Sequence, residues 1–249
     1  WEFSGQWKVT PPEIEFKLEP EGKAALKFNV ALNDPAGLIP PPKATARWDW
    51  SDKWPNPMVM SCAIPLVPHL TIPQAAAKPG LAGNIQDWND AASFVLDKLY
   101  FSDPAVPGKR LMWDGLSSLS ARIFFKWDKE NLYVAALIQD DEHFDADGSQ
   151  ENSPGDIFMT AFLVQENGGP EASHEYGFSL CAGRDTVIDY KSAGADSGPG
   201  IKFKSRLDKD AGSCLYEAAI PWSRLAPFVP ESGKEFRFTA VVGDADSLR

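Results

Sequence analysis

Residues 121–162 read ARIFFKWDKENLYVAALIQDDEHFDADGSQENSPGDIFMTAF. Ala121, Ile123, Phe125 and Trp127 alternate with Arg122, Phe124 and Lys126, the two-residue period of a strand. DKEN at 128–131 makes a tight turn, and Leu132 to Ile138 is a near-continuous apolar strand. Ile157 to Val164 is apolar on both faces, as expected for a strand buried between layers. Between the second and third runs lies an insert carrying Asp140, Asp141, Glu142, Asp145, Asp147, Glu151 and Asp156. It could be a metal site, a catalytic acid cluster or a solvated loop.

The strand pattern continues outward in both directions. Downstream come EYGFSLCA, DTVIDY, IKFKSRL, CLYEAAIPW and EFRFTAVVG; in IKFKSRL, Ile201, Phe203 and Leu207 share one face and Lys202, Lys204 and Arg206 the other. Upstream, Ile14, Phe16 and Leu18, then Leu26, Phe28, Val30 and Leu32 across the EPEG turn, predict a hairpin over 12–33 with one wet face. MVMSCAIPL reads as another strand, and IPQAAAKPGLAGN has the composition of a linker. The expected fold is all-β, with two β-sandwich domains. One is an immunoglobulin-like unit over 1–74, the other a larger jelly-roll-type sandwich over 75–249.

Composition narrows the functions available. The 249 residues are 43% apolar, with 15 Phe and 9 Trp, so a packed core is within reach and disorder is not expected. A net charge of 24 − 35 = −11 repels phosphate backbones and anionic lipid, which argues against nucleic acid as a partner. No apolar run approaches the ~18 residues of a membrane helix, so membrane insertion is not expected. Cys62, Cys181 and Cys214 match no zinc or redox spacing. A Cys181–Cys214 disulfide is open, but each residue reads more easily as core filler. The chain begins at Trp1, as a processed or trimmed chain would.

Several segments of the second unit, in order, resemble the family 9 carbohydrate-binding modules and their relatives in the DOMON-like β-sandwich superfamily. They are GNIQDWNDA, WDKENLYVAALIQDD, GDIFMTAF, YEAAIPWSRLAP and FTAVVGDAD, spread over residues 83–249. The resemblance implies a noncatalytic module that binds sugars and carries structural calcium. It also implies a secreted, periplasmic or cell-surface bacterial setting beside glycan-degrading domains.

The departures concern the sugar site itself. Where such modules have a stacking Trp, this chain has ENSPGD at 151–156; the family's strand Glu falls on Met159, and its Arg falls about on Gly177. The second stacking Trp would lie beyond the GDAD element, and the sequence ends at Arg249, which suggests a truncated module.

Trp113, in a polar, Gly-flanked loop, is the first candidate for a sugar platform, with Arg110 and Asp114 as hydrogen-bonding neighbours. Asp145, Asp147 and Glu151, with Ser149 and a turn at Gly148, have a spacing suited to wrapping Ca²⁺, so calcium is the expected cofactor. Asp140 caps the loop. Trp88, Trp127 and Trp222 read as core; Trp48, Trp50 and Trp54 lie close together, and Trp48 and Trp50, on one strand face, read as a pair packed against a neighbouring domain.

The insert holds carboxylates but nothing that would raise one pKa, and His69, His143 and His174 are widely spaced, so no catalytic residues are assigned. Haem is not expected, because Met112 and Met159 have no recognisable axial partner. The expected function is noncatalytic glycan binding, of xylan or cellulose type, with a polysaccharide and other domains of the same polypeptide as partners. The alternative is a structural module that has lost its sugar site. A glycoside hydrolase or haem-binding domain is less favoured.

Overall fold

The computed structural model describes residues 1–3, 5, 7–18, 21–33, 42–48, 56–63, 69–97, 115–144, 155–166, 168–192 and 200–245. They fall into two compact units, Trp1–His69 and Leu70–Arg249.

In the first unit β1 (Trp7–Thr10) pairs antiparallel with β2 (Asn29–Leu32), and β3 (Lys43–Trp48) with β4 (Met58–Ala63). The hairpin expected over 12–33 does not form. Residues 13–18 are not a strand, and the partner of β2 is β1, in the register Val9↔Val30. Phe16, Leu18 and Leu26 are exposed. Their alternation marks a face with nothing to bury it, whereas Trp7 and Val9 are buried and fix the pairing.

The second unit is a sandwich of two antiparallel sheets. Its strands are β5 (Ala92–Leu96), β6 (Leu119–Trp127), β7 (Asn131–Asp140), β8 (Ile157–Val164), β9 (Ala172–Cys181), β10 (Arg184–Ser192), β11 (Lys202–Asp208), β12 (Ser213–Pro221) and β13 (Arg237–Gly243). The five-stranded sheet runs β11-β12-β7-β6-β5 and the four-stranded sheet β10-β9-β8-β13. Ile123, Phe125, Leu132, Val134, Tyr216 and Ile220 of one sheet pack with Phe158, Phe162, Tyr176 and Phe178 of the other. The protein is thus all-β, as its alternation predicts.

The apolar run at 132–138 has a clear cause. The outer face of the five-stranded sheet is also covered, by residues 81–91, with Trp88 packed on Phe124, Tyr133, Ala135, Leu215 and Ala219. A strand buried on both faces has no reason to alternate. Two buried ionic groups anchor this cover. Glu217 accepts from Trp88 Nε1 (2.8 Å) and from Gly83 N (2.6 Å), and Lys126 donates to Asp87 O (2.6 Å) and pairs with Asp90. Gly83 sits at φ +75°, and a Cβ there would lie 2.8 Å from Arg206 Cβ. Only glycine fits.

The stretch with linker composition is built into this unit. Trp127 N donates to Pro73 O, Trp127 Nε1 to Ile72 O, and Ala75 N to Trp127 O. Its Pro, Ala and Gly content reflects a close-lying extended segment, not a free tether.

The four-stranded sheet differs from expectation in the opposite sense. Phe158, Phe162 and Val164 face the core, but Met159, Ala161 and Leu163 on the other side of β8 are only partly covered. On that side Ile157 is buried and the rest of the strand is half-covered, so β8 is not sealed between layers along its whole length.

Candidate functional site

The acidic insert leaves β7 at Asp140 and re-enters the sheet at β8. Asp145, Asp147 and Glu151 lie outside the described residues, as do Ser149, Gly148 and the platform candidates Trp113, Arg110 and Asp114. What is described is the neck of the insert. There Asp140, His143 and Asp156 bring one ligand-type atom each within 4.8 Å of one another.

Asp156 is the hub of this neck. Its Oδ2 accepts from Phe144 N (2.7 Å) and lies 2.8 Å from His143 Nδ1, and its Oδ1 accepts from Ala245 N (2.9 Å). Burial works against ionising this carboxyl, but the hydrogen bonds from His143, Ala245 and Phe144 outweigh it and hold its pKa down. Asp140 goes the other way. Burial first, and the charge of Asp156 second, push it up to about 6.

In linear order nothing in this region would raise a carboxyl pKa, but in the folded protein Asp140 is raised. The raising agents are burial at the sandwich end and a second acid brought close by folding, neither of which is visible in linear order. A split pair of this kind suits acid–base chemistry in principle. Its separation, however, is below the ~5–9.5 Å that glycoside hydrolysis uses, and both oxygens of Asp156 are engaged in holding the loop. Asp140 Oδ1 accepts from Glu142 N (3.0 Å), the capping role expected of it. A cavity of about 370 Å³ lies beside the pair, lined by Asp140, His143, Leu180, Leu207, Lys209 and Cys214 among others.

The tryptophans read as core are found there. Trp88 is 1% exposed, and Trp222 donates to Asp128 O (2.8 Å) and meets Trp127 edge to face. Trp48 lies on β3, while Trp50, Trp54 and Met112 fall outside the described residues. Cys181 and Cys214 are thiols; burial raises Cys214 to about 11, as befits core filler. His143 and His174 serve different places, for His174 is fully buried with Nε2 2.8 Å from Ala226 O.

The outer face of the four-stranded sheet carries two rows that cross all its strands. One is Ile188–Gly177–Met159–Val241 and the next is Lys191–Glu175–Ala161–Thr239. Tyr190 sits on a β-bulge between Asp189 and Lys191, and its ring lies over Gly177. Sequence reasoning did not single it out. The available signal was Gly177 itself, since glycine inside a strand marks a close approach.

Part of the chain is similar to a family 9 carbohydrate-binding module. Among the solved structures it matches, two are described as a carbohydrate binding module family 9 (CBM9) from Caldicellulosiruptor kristjanssonii. The one in complex with cellotriose is 17% identical over 71% of this chain and 77% of that one, with a TM-score of 0.45. The one in complex with glucose is 17% identical over 71% of this chain and 79% of that one, with a TM-score of 0.44. No family model and no curated protein sequence matches the chain. Among the described residues, no helix is long and apolar enough to cross a membrane.

Proposed function

We propose that the chain is a noncatalytic glycan-binding module, of xylan or cellulose specificity, belonging to a secreted, periplasmic or cell-surface bacterial protein that processes glycans. The observation that carries this reading is the use made of the buried and half-buried acids. Glu217 holds Trp88 and Gly83. Asp128 accepts from Glu130 N, Asn131 N and the Tyr133 hydroxyl, and Asp185 from Ser205 N and Oγ. Asp156 ties the insert's neck to Ala245. Carboxylates spent on backbone and indole donors build a rigid frame, which can hold surface side chains in place for a ligand.

The glycan class is supported by the ordered segments between Gly83 and Asp244. Their most telling residues, Trp88, Glu217 and Asp156, all serve the frame. Trp113, with Arg110 and Asp114, is the proposed loop platform. The proposed organisation is an immunoglobulin-like unit before the sandwich, ending near His69 and not at residue 74, with other domains of the same polypeptide as partners.

Calcium is proposed at Asp145, Asp147 and Glu151. Asp140 and Asp156 offer oxygens at the neck of the same loop, but His143 contributes a nitrogen, and calcium takes about 6–8 oxygen ligands. The neck alone does not make a calcium shell, so the loop acids would supply most of it.

Affinity electrophoresis and pull-down on xylan, cellulose and glucomannan, each with calcium and with chelator, test the reading. Retention on at least one glycan is expected, weakened by Trp113→Ala, and calcium is expected to raise the melting temperature. No retention on any glycan overturns it in favour of an interaction module, a reading favoured by Met159 and Gly177 standing where the resemblance would place a Glu and an Arg.

A further inference from the structure

We infer that Asp140, His143 and Asp156 form a site for one nitrogen-accepting divalent metal ion, zinc above all, which clamps the two ends of the acidic insert together. The inference goes beyond glycan binding and stands without it.

Asp140 is the last residue of β7, His143 lies just inside the insert, and Asp156 stands immediately before β8. Folding brings one ligand-type atom of each within 4.8 Å of the others. Atoms bound at about 2.0–2.2 Å to one tetrahedral zinc ion stand roughly 3.3–3.6 Å apart, so small side-chain rotations close the set around an ion.

The carboxylates are already held in place. Asp156 accepts from Ala245 N through Oδ1 and from Phe144 N through Oδ2, and Asp140 Oδ1 accepts from Glu142 N. Supporting bonds of this kind orient metal ligands before the ion arrives. His143 Nδ1 lies 2.8 Å from Asp156 Oδ2. On binding, the Nδ1 lone pair turns to the ion and the ring proton resides on Nε2, so the metal replaces the contact between the two side chains.

Donor type and charge choose the ion. Calcium takes about 6–8 oxygens, whereas imidazole together with carboxylate suits zinc and its first-row neighbours. Two carboxylates and a neutral imidazole balance a divalent charge. Of the charged groups described around the adjoining cavity, Lys209 opposes a cation, and Asp140, Asp141 and Asp156 outweigh it.

Three protein ligands leave a fourth position for water, facing the cavity of about 370 Å³. Tyr216 on β12 points to the same place independently. It is 2% exposed, and its hydroxyl is buried without a hydrogen-bond partner beside the Cys214 thiol, which lines that cavity. Its charged neighbours are Asp156 and Asp140. A buried hydroxyl in that state calls for a polar partner, and a water held on the ion supplies one. The calcium proposed for Asp145, Asp147 and Glu151 rests on the loop acids and leaves the neck to this second ion.

The test titrates chelator-stripped full chain with Zn²⁺ and, separately, with Ca²⁺. It follows melting temperature, and measures affinity and stoichiometry by competition with a chromophoric chelator. Wild type is expected to bind one Zn²⁺ per chain and to melt higher with it. His143→Ala and Asp140→Asn are each expected to weaken zinc binding by at least on the order of tenfold, and His69→Ala to leave it unchanged. The zinc-induced rise is compared within each variant, so a lower basal stability does not hide it. Co²⁺ is expected to give visible ligand-field bands without a thiolate charge-transfer band. No zinc-induced rise in wild type overturns the inference, and so does a rise undiminished in His143→Ala, which would mean scattered binding to surface acids. A calcium-induced rise that His143→Ala abolishes overturns the choice of ion, and a thiolate band overturns the ligand set.

Discussion

Glu217 shows how far a single residue can be read. In YEAAIPW its strand context was plain, but a carboxylate between apolar neighbours gives no hint of what it bonds. The fold supplies Trp88 Nε1 and Gly83 N from a segment about 130 positions earlier. Replacing Glu217 with Ala leaves both donors buried and unmatched, at about 1–3 kcal/mol each. The expected result is a fall in melting temperature of about 5–15 °C, seen by calorimetry, with Trp88 fluorescence shifting as its indole loses the bond. An unchanged transition would mean that water replaces the carboxylate there. Asp140 teaches the converse lesson. Its position as the last residue of a strand was legible, whereas its raised pKa depends on Asp156, which only folding brings near.

At the scale of elements, alternation located the strands of the second unit well. Ala121 to Trp127 and Leu132 to Ile138 are strands with the expected faces. It failed where a patterned stretch had no cover, as at Phe16 and Leu18, and where composition stood in for contact, as in IPQAAAKPGLAGN. That stretch carries hydrogen bonds to both the backbone and the indole of Trp127. A chain starting at residue 80 would lose those bonds and uncap β6, whereas one starting at Leu70 keeps them. The shorter chain is expected to melt several degrees lower than the longer one, at about 2–4 °C per kcal/mol lost. Equal melting temperatures would show the segment to be a tether after all.

Across the whole molecule, one end of the sandwich is closed by the segment from Trp222 to Phe228. Tyr176 donates to Arg224 O (2.6 Å), Arg224 pairs with Asp189, and His174 Nε2 donates to Ala226 O. His174 Nδ1 is buried with no partner. Burial holds the imidazole pKa below 6.5, against the opposing pull of the Ala226 carbonyl and Asp189. With the folded pKa depressed, the stability contributed is complete above about pH 6.5. It is lost as pH falls below that value, because the unfolded chain takes up the proton first. His174 is expected to lower denaturant midpoints between neutral and mildly acidic pH, against the opposite trend of Asp140, so His174→Gln should show a smaller drop, or a larger rise, than wild type over that range. A variant with the same slope as wild type would assign the acid sensitivity to other groups.

The sequence by itself determined the all-β class, the strands of the sandwich, the tryptophans of its core and the acidic insert, because each is written in local period or composition. The tertiary structure alone decided which apolar face stays open, which acids sit together and where Tyr190 comes to rest. A two-residue period says that a strand has two sides but not what will cover them. Residues as far apart as Gly177 and Tyr190 become neighbours only through a register and a bulge.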